Sequence, residues 1–121
     1  VLKKRRRIYS CPIDVTLSVI GGKWKPLILF QLKQGPQRFS ELQARLPRVS
    51  HKVLTQQLRQ LEHAGIIAHQ ARARAYELTP FGKTLKPALS ALASWGQTHH
   101  RVLGLELASL PRADQPPKPI E

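Results

Sequence analysis

Ser50-His51-Lys52-Val53-Leu54-Thr55-Gln56-Gln57-Leu58-Arg59-Gln60-Leu61-Glu62-His63-Ala64-Gly65 is the stretch whose reading settles the fold class. Serine is a strong N-cap and glycine a common helix stop, so the segment predicts one helix that begins at Ser50 and ends at Gly65. At about 100° per residue, Leu54, Leu58 and Leu61 fall within roughly 60° of one another. Lys52, Gln56, Arg59 and His63 fall within about 40° of the opposite side, and Thr55 flanks them. Such a helix buries leucines on one face and presents cations and amides on the other.

On the N-terminal side of this helix, Ser40 and Gln43 stand in capping-box spacing, Leu42 and Leu46 form an apolar pair four apart, and Pro47 closes the segment. A third helix, a short one, is expected there. The second spans 23–34, with Pro26 in its first turn and Gly35-Pro36 as its stop. Trp24, Leu27, Ile28, Leu29, Phe30 and Leu32 leave it almost no polar face, which predicts the centre of the core. A first helix over 12–20 starts with Pro12 in its first turn and ends at Gly21-Gly22.

On the C-terminal side the apolar period becomes strand-like. Residues 66–70 and 74–78 predict two strands joined around Ala71-Arg72-Ala73, a hairpin with Arg72 and Arg74 near its tip. Thr79-Pro80 then opens another helical stretch. Leu85, Leu89, Leu92 and Trp95 line one stripe of it, continued by Val102, Leu103 and Leu107 and bent or broken at Pro87. There is no internal repeat.

The chain has 121 residues, 41% of them hydrophobic, which suits one domain. The expected organisation is a basic arm over 1–9, the folded domain with its terminal helix over 10–108, and a proline-rich, disordered tail over 109–121. Twenty Lys and Arg stand against seven Asp and Glu, a formal charge of +13 that points to a polyanionic partner. The excess sits in residues 1–60, which hold thirteen basic and two acidic residues against seven and five in 61–121. Cys11 is the single cysteine, which excludes an internal disulfide and the multi-cysteine zinc patterns and fits a reducing compartment. No apolar run approaches the roughly 18 residues of a membrane span, and Lys3-Lys4-Arg5-Arg6-Arg7 is not followed by a signal-peptide core. A cytoplasmic protein without membrane association is expected.

Helix, short helix, sharp turn, polar-faced helix and basic hairpin, in that order, make a winged helix-turn-helix: mainly α with a small β-hairpin. A major groove about 12 Å wide admits one helix, and a neighbouring hairpin reaches the adjoining backbone or minor groove. Lys52, Thr55, Gln56 and Arg59 are then the candidate DNA contacts: Gln pairs with adenine edges, Arg with guanine, and Lys with guanine or phosphate. Ser50 is either a helix cap or a DNA contact. Arg72 and Arg74 either meet phosphate or a narrow minor groove, or tip a solvated turn. The basic run at 3–7 is a solvated tail or a groove-binding arm. Trp24 and Trp95 read as core or interface residues rather than ligand stackers. Lys23 and Lys25 are solvated or helped by a helix N-terminus that faces phosphate.

Cys11-Pro12, Ile20-Gly21-Gly22-Lys23-Trp24-Lys25-Pro26-Leu27-Ile28-Leu29, Arg38-Phe39-Ser40-Glu41-Leu42, Leu54-Thr55-Gln56-Gln57-Leu58-Arg59-Gln60-Leu61 and Tyr76-Glu77-Leu78-Thr79-Pro80-Phe81-Gly82 resemble the HxlR-type family of bacterial transcription regulators. The motifs keep the family's order and spacing over residues 9–98. The resemblance implies a winged helix-turn-helix that forms homodimers through its terminal helices, here with Leu85, Leu89, Leu92 and Trp95. It also implies inverted-repeat operators in double-stranded DNA, usually bound in repression and sometimes in activation. The short 70–74 connection departs from the family's generally longer, often proline-containing wing, which bears on the reach of Arg72 and Arg74. In the family the cysteine before this proline recurs, and some members sense oxidants, quinones or aldehydes with it. A thiol just before a helix N-terminus and near cations is expected to favour its thiolate. Cys11 is therefore a candidate redox sensor, against the alternative of a packed small residue.

Catalysis is not expected: there is no phosphate-binding glycine loop, no nucleophile elbow, no paired carboxylates in one segment and no metal-binding histidine motif, so neither a metal nor another cofactor is expected. The competing reading is a general basic winged helix that binds RNA or shapes nucleic acid, because charge alone does not separate polyanions. Thr55, Gln56 and Arg59 on one face, and the lack of an aromatic-rich stacking strand, favour sequence-specific duplex DNA.

Overall fold

The computed structural model describes residues 8–108, in which α1 (Pro12–Ile20), α2 (Lys25–Leu32), β1 (Gln37–Arg38), α3 (Phe39–Arg45), α4 (His51–His63), β2 (Ile67–Gln70), β3 (Ala75–Leu78), α5 (Pro80–Lys83) and α6 (Lys86–His99) follow in order. The basic run at 3–7 and the proline-rich end lie outside the described residues. The architecture is mainly helical with a small antiparallel sheet.

The core forms where α4 lays its leucine stripe against α2 and α3. Leu54, Leu58 and Leu61 are at most 1% exposed, as are Ile28, Leu29 and Leu42. At roughly 1.5–3 kcal/mol per buried side chain, those three leucines alone contribute several kcal/mol. Ser50 caps α4 as the sequence predicts, its Oγ accepting from the Val53 amide at 3.1 Å. The helix ends in a Schellman motif: Ile66 N–H donates to Leu61 O (3.0 Å) and Gly65 N–H to Glu62 O (2.9 Å), with Gly65 at φ +78. That left-handed residue turns the chain directly into β2.

The expected hairpin is present, with Ile67 opposite Leu78 and Gln70 opposite Ala75. It carries a third strand that the sequence pattern does not reveal. β1 pairs with β3, Gln37 opposite Tyr76 and Arg38 opposite Ala75, giving the order β1-β3-β2. A two-residue strand is too short to display an alternation. Its anchor is polar: Gln37, 2% exposed, donates from Nε2 to Gln31 O at 3.1 Å and accepts from Arg45 Nη1 at 3.2 Å. These bonds join α2, β1 and α3 beneath the sheet.

The pairing of β1 also corrects the start of α3. Ser40 is its second residue, not its cap, because the extended backbone of Arg38 (ψ 161) ends a strand and the helix begins at Phe39. Glu41 accepts from the Arg38 amide at 2.7 Å, and the Gln43 side chain reaches forward instead, to Val49 O at 2.6 Å.

A second correction concerns the C-terminal stripe. Thr79 caps α5, accepting from Gly82 N–H at 2.9 Å and donating to Gly65 O at 2.7 Å, which pins α5 to the end of α4. α5 then stops at Lys83, and Pro87 lies in the first turn of α6, where its missing N–H costs no helical bond. The stripe therefore divides: Leu89 is buried and Leu85 half-buried in the chain's own core, while Leu92 and Trp95 are exposed. Val102, Leu103 and Leu107 lie beyond the end of α6 and do not continue its face.

Gly82 is required by contact, since a Cβ there would stand 2.0 Å from Ile66 O. Gly82→Ala must push α5 off the Ile66 backbone and is expected to destabilise the fold by about 1–3 kcal/mol or more. The shift in the urea midpoint measures this, and an unchanged midpoint would contradict the close approach.

Candidate nucleic-acid interface and reactive thiol

With its leucines buried, α4 exposes Lys52, Gln56 and Arg59 on one side, together with His51, Gln60 and His63. Thr55 is half-buried and its hydroxyl donates to His51 O at 2.9 Å, which leaves the oxygen free to accept. Ser50 is the helix cap, and because its Oγ accepts from Val53 its own O–H stays available to donate. His51 escapes the sequence pattern, since it lies in the first turn outside the leucine stripe. Its ring rests on Phe39, with centroids 4.7 Å apart and planes tilted by 49°, which orders the exposed start of α4 against α3.

The hairpin stands beside this helix. His69 of β2 and Tyr76 of β3 are cross-strand partners whose rings stack at 4.5 Å, and Gln70 donates to Glu77 on the neighbouring strand. Burial holds the Tyr76 phenol above its ordinary pKa, the Glu62 carboxylate pushes the same way, and the Arg59 guanidinium acts in the opposite sense. The phenol thus feels two charged side chains of α4. Arg72 and Arg74 are exposed in the connecting turn. Arg74 has φ +54, a left-handed conformation that a non-glycine residue adopts at some cost, imposed here by so short a link between paired strands.

Cys11 is exposed and occupies the N-cap position of α1. The Asp14 backbone N–H lowers its pKa from the ordinary thiol value; loss of solvent opposes this, and the Ser10 hydroxyl and the Ile13 amide add to the lowering. The same turn is organised by Asp14, whose Oδ2 accepts from Ser10 N–H at 3.1 Å and from Ser10 Oγ at 3.2 Å. The packed-residue reading of Cys11 does not fit this exposure. Directly after it, α1 turns Ile13 (68% exposed) and Leu17 (57%) outward, and α6 does the same with Leu92 (62%) and Trp95 (58%). Trp24 is partly buried against the core. Among the described residues no cluster of His, Cys, Asp or Glu is arranged to hold a metal ion, and no helix is long and apolar enough to cross a membrane.

A half-buried, polar-faced helix that follows a short helix and a tight turn, with a basic hairpin at its side, defines a winged helix-turn-helix DNA-binding protein. A family model for the HxlR-like helix-turn-helix matches residues 19–103, and the chain belongs to that family of transcription regulators. The uncharacterized HTH-type transcriptional regulator YdeP of Bacillus subtilis (strain 168) is 38% identical over 105 residues, covering 82% of each chain. Among solved structures, the redox regulator HypR in its reduced form is 38% identical, covers 78% of this chain and 98% of its own, and superposes with a TM-score of 0.68. The quinone-bound YodB from B. subtilis is 31% identical, covers 73% of this chain and 99% of its own, and gives a TM-score of 0.64.

Because the folded thiol has a lowered pKa, its thiolate persists to lower pH than that of a free cysteine. The rate of Cys11 alkylation by iodoacetamide, followed against pH, is expected to rise at lower pH in the folded protein than in denaturant. Coincident profiles would mean that the helix N-terminus has no hold on the sulfur.

Proposed function

We propose that the chain acts as a homodimer that recognises an inverted-repeat operator through α4 and changes its affinity when Cys11 is modified. The observation that carries the DNA half of this reading is the exposed Lys52, Gln56 and Arg59 face of a helix whose opposite side is fully buried. Gln56 suits an adenine edge, Arg59 a guanine edge, and Lys52 a guanine or a phosphate, while Thr55 offers its methyl and one acceptor. Ser50 donates its free O–H to phosphate, and Arg72 and Arg74 neutralise backbone charge beside the groove. A bound dimer represses by occupying its operator, in the cytoplasm with its DNA, and no catalytic step is assigned to it.

The terminal helices supply the dimer contact. Leu92 and Trp95 of α6, with Ile13 and Leu17 of α1, form apolar surface that one chain leaves uncovered, and Leu85 and Leu89 support α6 from within. A two-fold pair places its α4 helices about 34–36 Å apart, in successive major grooves. HypR is described as a redox regulator and YodB has been solved with quinone bound, which supports a sensing role for the thiol here. In that role the Cys11 thiolate adds to a quinone ring carbon: the C–S bond forms as the ring C=C π bond opens, its electron pair shifts onto a carbonyl oxygen that takes a proton from solvent, and transfer of the ring C–H proton to the other oxygen leaves a hydroquinone thioether. Being the sole cysteine, it forms a disulfide only with a second chain or a small thiol.

The test begins with a duplex selected from a random pool by the wild-type protein, competed against random duplex and RNA at stated salt. Gln56→Ala or Arg59→Ala is expected to cost about 1–3 kcal/mol on the selected duplex and much less on random DNA. Replacing Arg72 and Arg74 weakens both and flattens the salt dependence. Equal losses on the two duplexes remove base reading from this face, and equal affinity for RNA favours a general polyanion-binding domain.

Sedimentation at micromolar concentration is expected to give a dimer that Trp95→Glu dissociates, with loss of most of the avidity for the paired half-sites. Diamide or quinone treatment lowers the affinity of wild type and leaves Cys11→Ser unaffected. Full affinity with mass spectrometry confirming a modified Cys11 would falsify the sensing role.

A further inference from the structure

We infer that Gln43 is a positioning residue for DNA recognition, whose carboxamide clamps the turn between α3 and α4 and so sets the attitude in which α4 is presented. The inference rests on the reading of α4 as the groove-facing helix. α3 ends at Arg45 and α4 begins at His51, so residues 46–50 make the whole connection. Val49 N–H donates to Leu46 O at 3.2 Å and closes the turn on itself. The first helical acceptor of α4 is Ser50 O, which receives Leu54 N–H at 2.9 Å. Val49 O therefore lies one residue outside the helix, on a side chain's worth of buried structure, since Val49 itself is 3% exposed. Gln43 meets that carbonyl: Nε2 donates to Val49 O at 2.6 Å and lies 3.5 Å from Leu46 O, a much weaker contact.

The direction of the amide follows from chemistry, because only its N–H end can face two carbonyls. Its Oε1 is buried with no hydrogen-bond partner.

The clamp acts on the end of α4 that matters for base reading. Leu54, Leu58 and Leu61 hold the body of the helix in the core, and Ser50, His51 and Lys52, which precede them, adjoin the turn. With no donor at position 43, Val49 O loses its side-chain partner, and the contact of His51 with Phe39 is left to set the angle at which α4 starts. Base contacts depend on that angle, and phosphate attraction depends chiefly on charge.

Two variants separate the donor from the bulk. Gln43→Glu places a carboxylate against a carbonyl oxygen at neutral pH, and protonation returns an O–H donor; Gln43→Met keeps the length with no donor at any pH. Affinity is measured at about pH 8 and about pH 5.5 on the duplex selected by the wild type and on random duplex, each value as a ratio to wild type at the same pH. The expected result is about a tenfold loss on the selected duplex for both variants at the higher pH, with little change on random DNA. At the lower pH, Gln43→Glu recovers most of its loss and Gln43→Met recovers none. Wild-type affinity of Gln43→Glu at the higher pH, or the same pH course for both variants, overturns the clamp.

Arg59→Ala on the same duplexes reports on α4 separately. A loss there without a Gln43 effect overturns the clamp alone, and no loss overturns the reading of α4. In the wild type itself, the Gln43 side-chain amide protons are expected to exchange with solvent more slowly than those of exposed Gln56. Equal exchange overturns the clamp even if a variant does not fold.

Discussion

Burial of Leu54, Leu58 and Leu61 is the constraint on which the remaining structure depends. Their removal from water fixes the rotation of α4 about its own axis, and a helix so fixed has no choice about what it shows on the other side. The polar face is therefore a consequence of the core. Each end of the helix is then secured by a different device. Ser50 and the Gln43 amide hold the start, and Gly65 with the Thr79 hydroxyl holds the finish, where α4, β2 and α5 converge within a few residues. The wing inherits its position from that junction, because Thr79 N–H also donates to Ile66 O at 3.0 Å and draws the two strand ends together.

α2 explains why the chain has an unfinished side. A helix with so little polar surface needs neighbours on more than one flank. The core takes Ile28, Leu29 and Leu32, while Leu27 and Phe30 face a groove shared with Leu92 and Gly96 of α6. Leu92 stays in water on this side, as Trp95 does further along α6 and Ile13 and Leu17 do on α1. Within the proposed function α1 carries the signal: Cys11 begins the helix that bears the exposed Ile13 and Leu17, far in sequence from the α4 face proposed to meet DNA.

The sequence by itself determined the elements whose cause is local. The α4 boundaries follow from a cap, a glycine and a leucine period, the Thr79-Pro80 start from a hydroxyl and a missing N–H, and the exposed candidates Lys52, Gln56 and Arg59 from the angle between their positions and the leucines. The family motifs, spread from Cys11 to Gly82, reached the same fold independently. Only the tertiary structure decided what depends on partners distant along the chain. β1 exists because β3 offers it a ladder, and that pairing, not the Ser40 hydroxyl, sets where α3 begins. The stripe from Leu85 to Trp95 reads as one apolar face in sequence, but packing against α2 claims its first half and leaves the second to solvent. His51 on Phe39, Tyr76 near Arg59 and Glu62, and the Gln43 amide on Val49 have no periodic signature at all. A side chain's local spacing records which face it occupies, whereas its hydrogen-bond and ring partners are chosen only when separate elements meet.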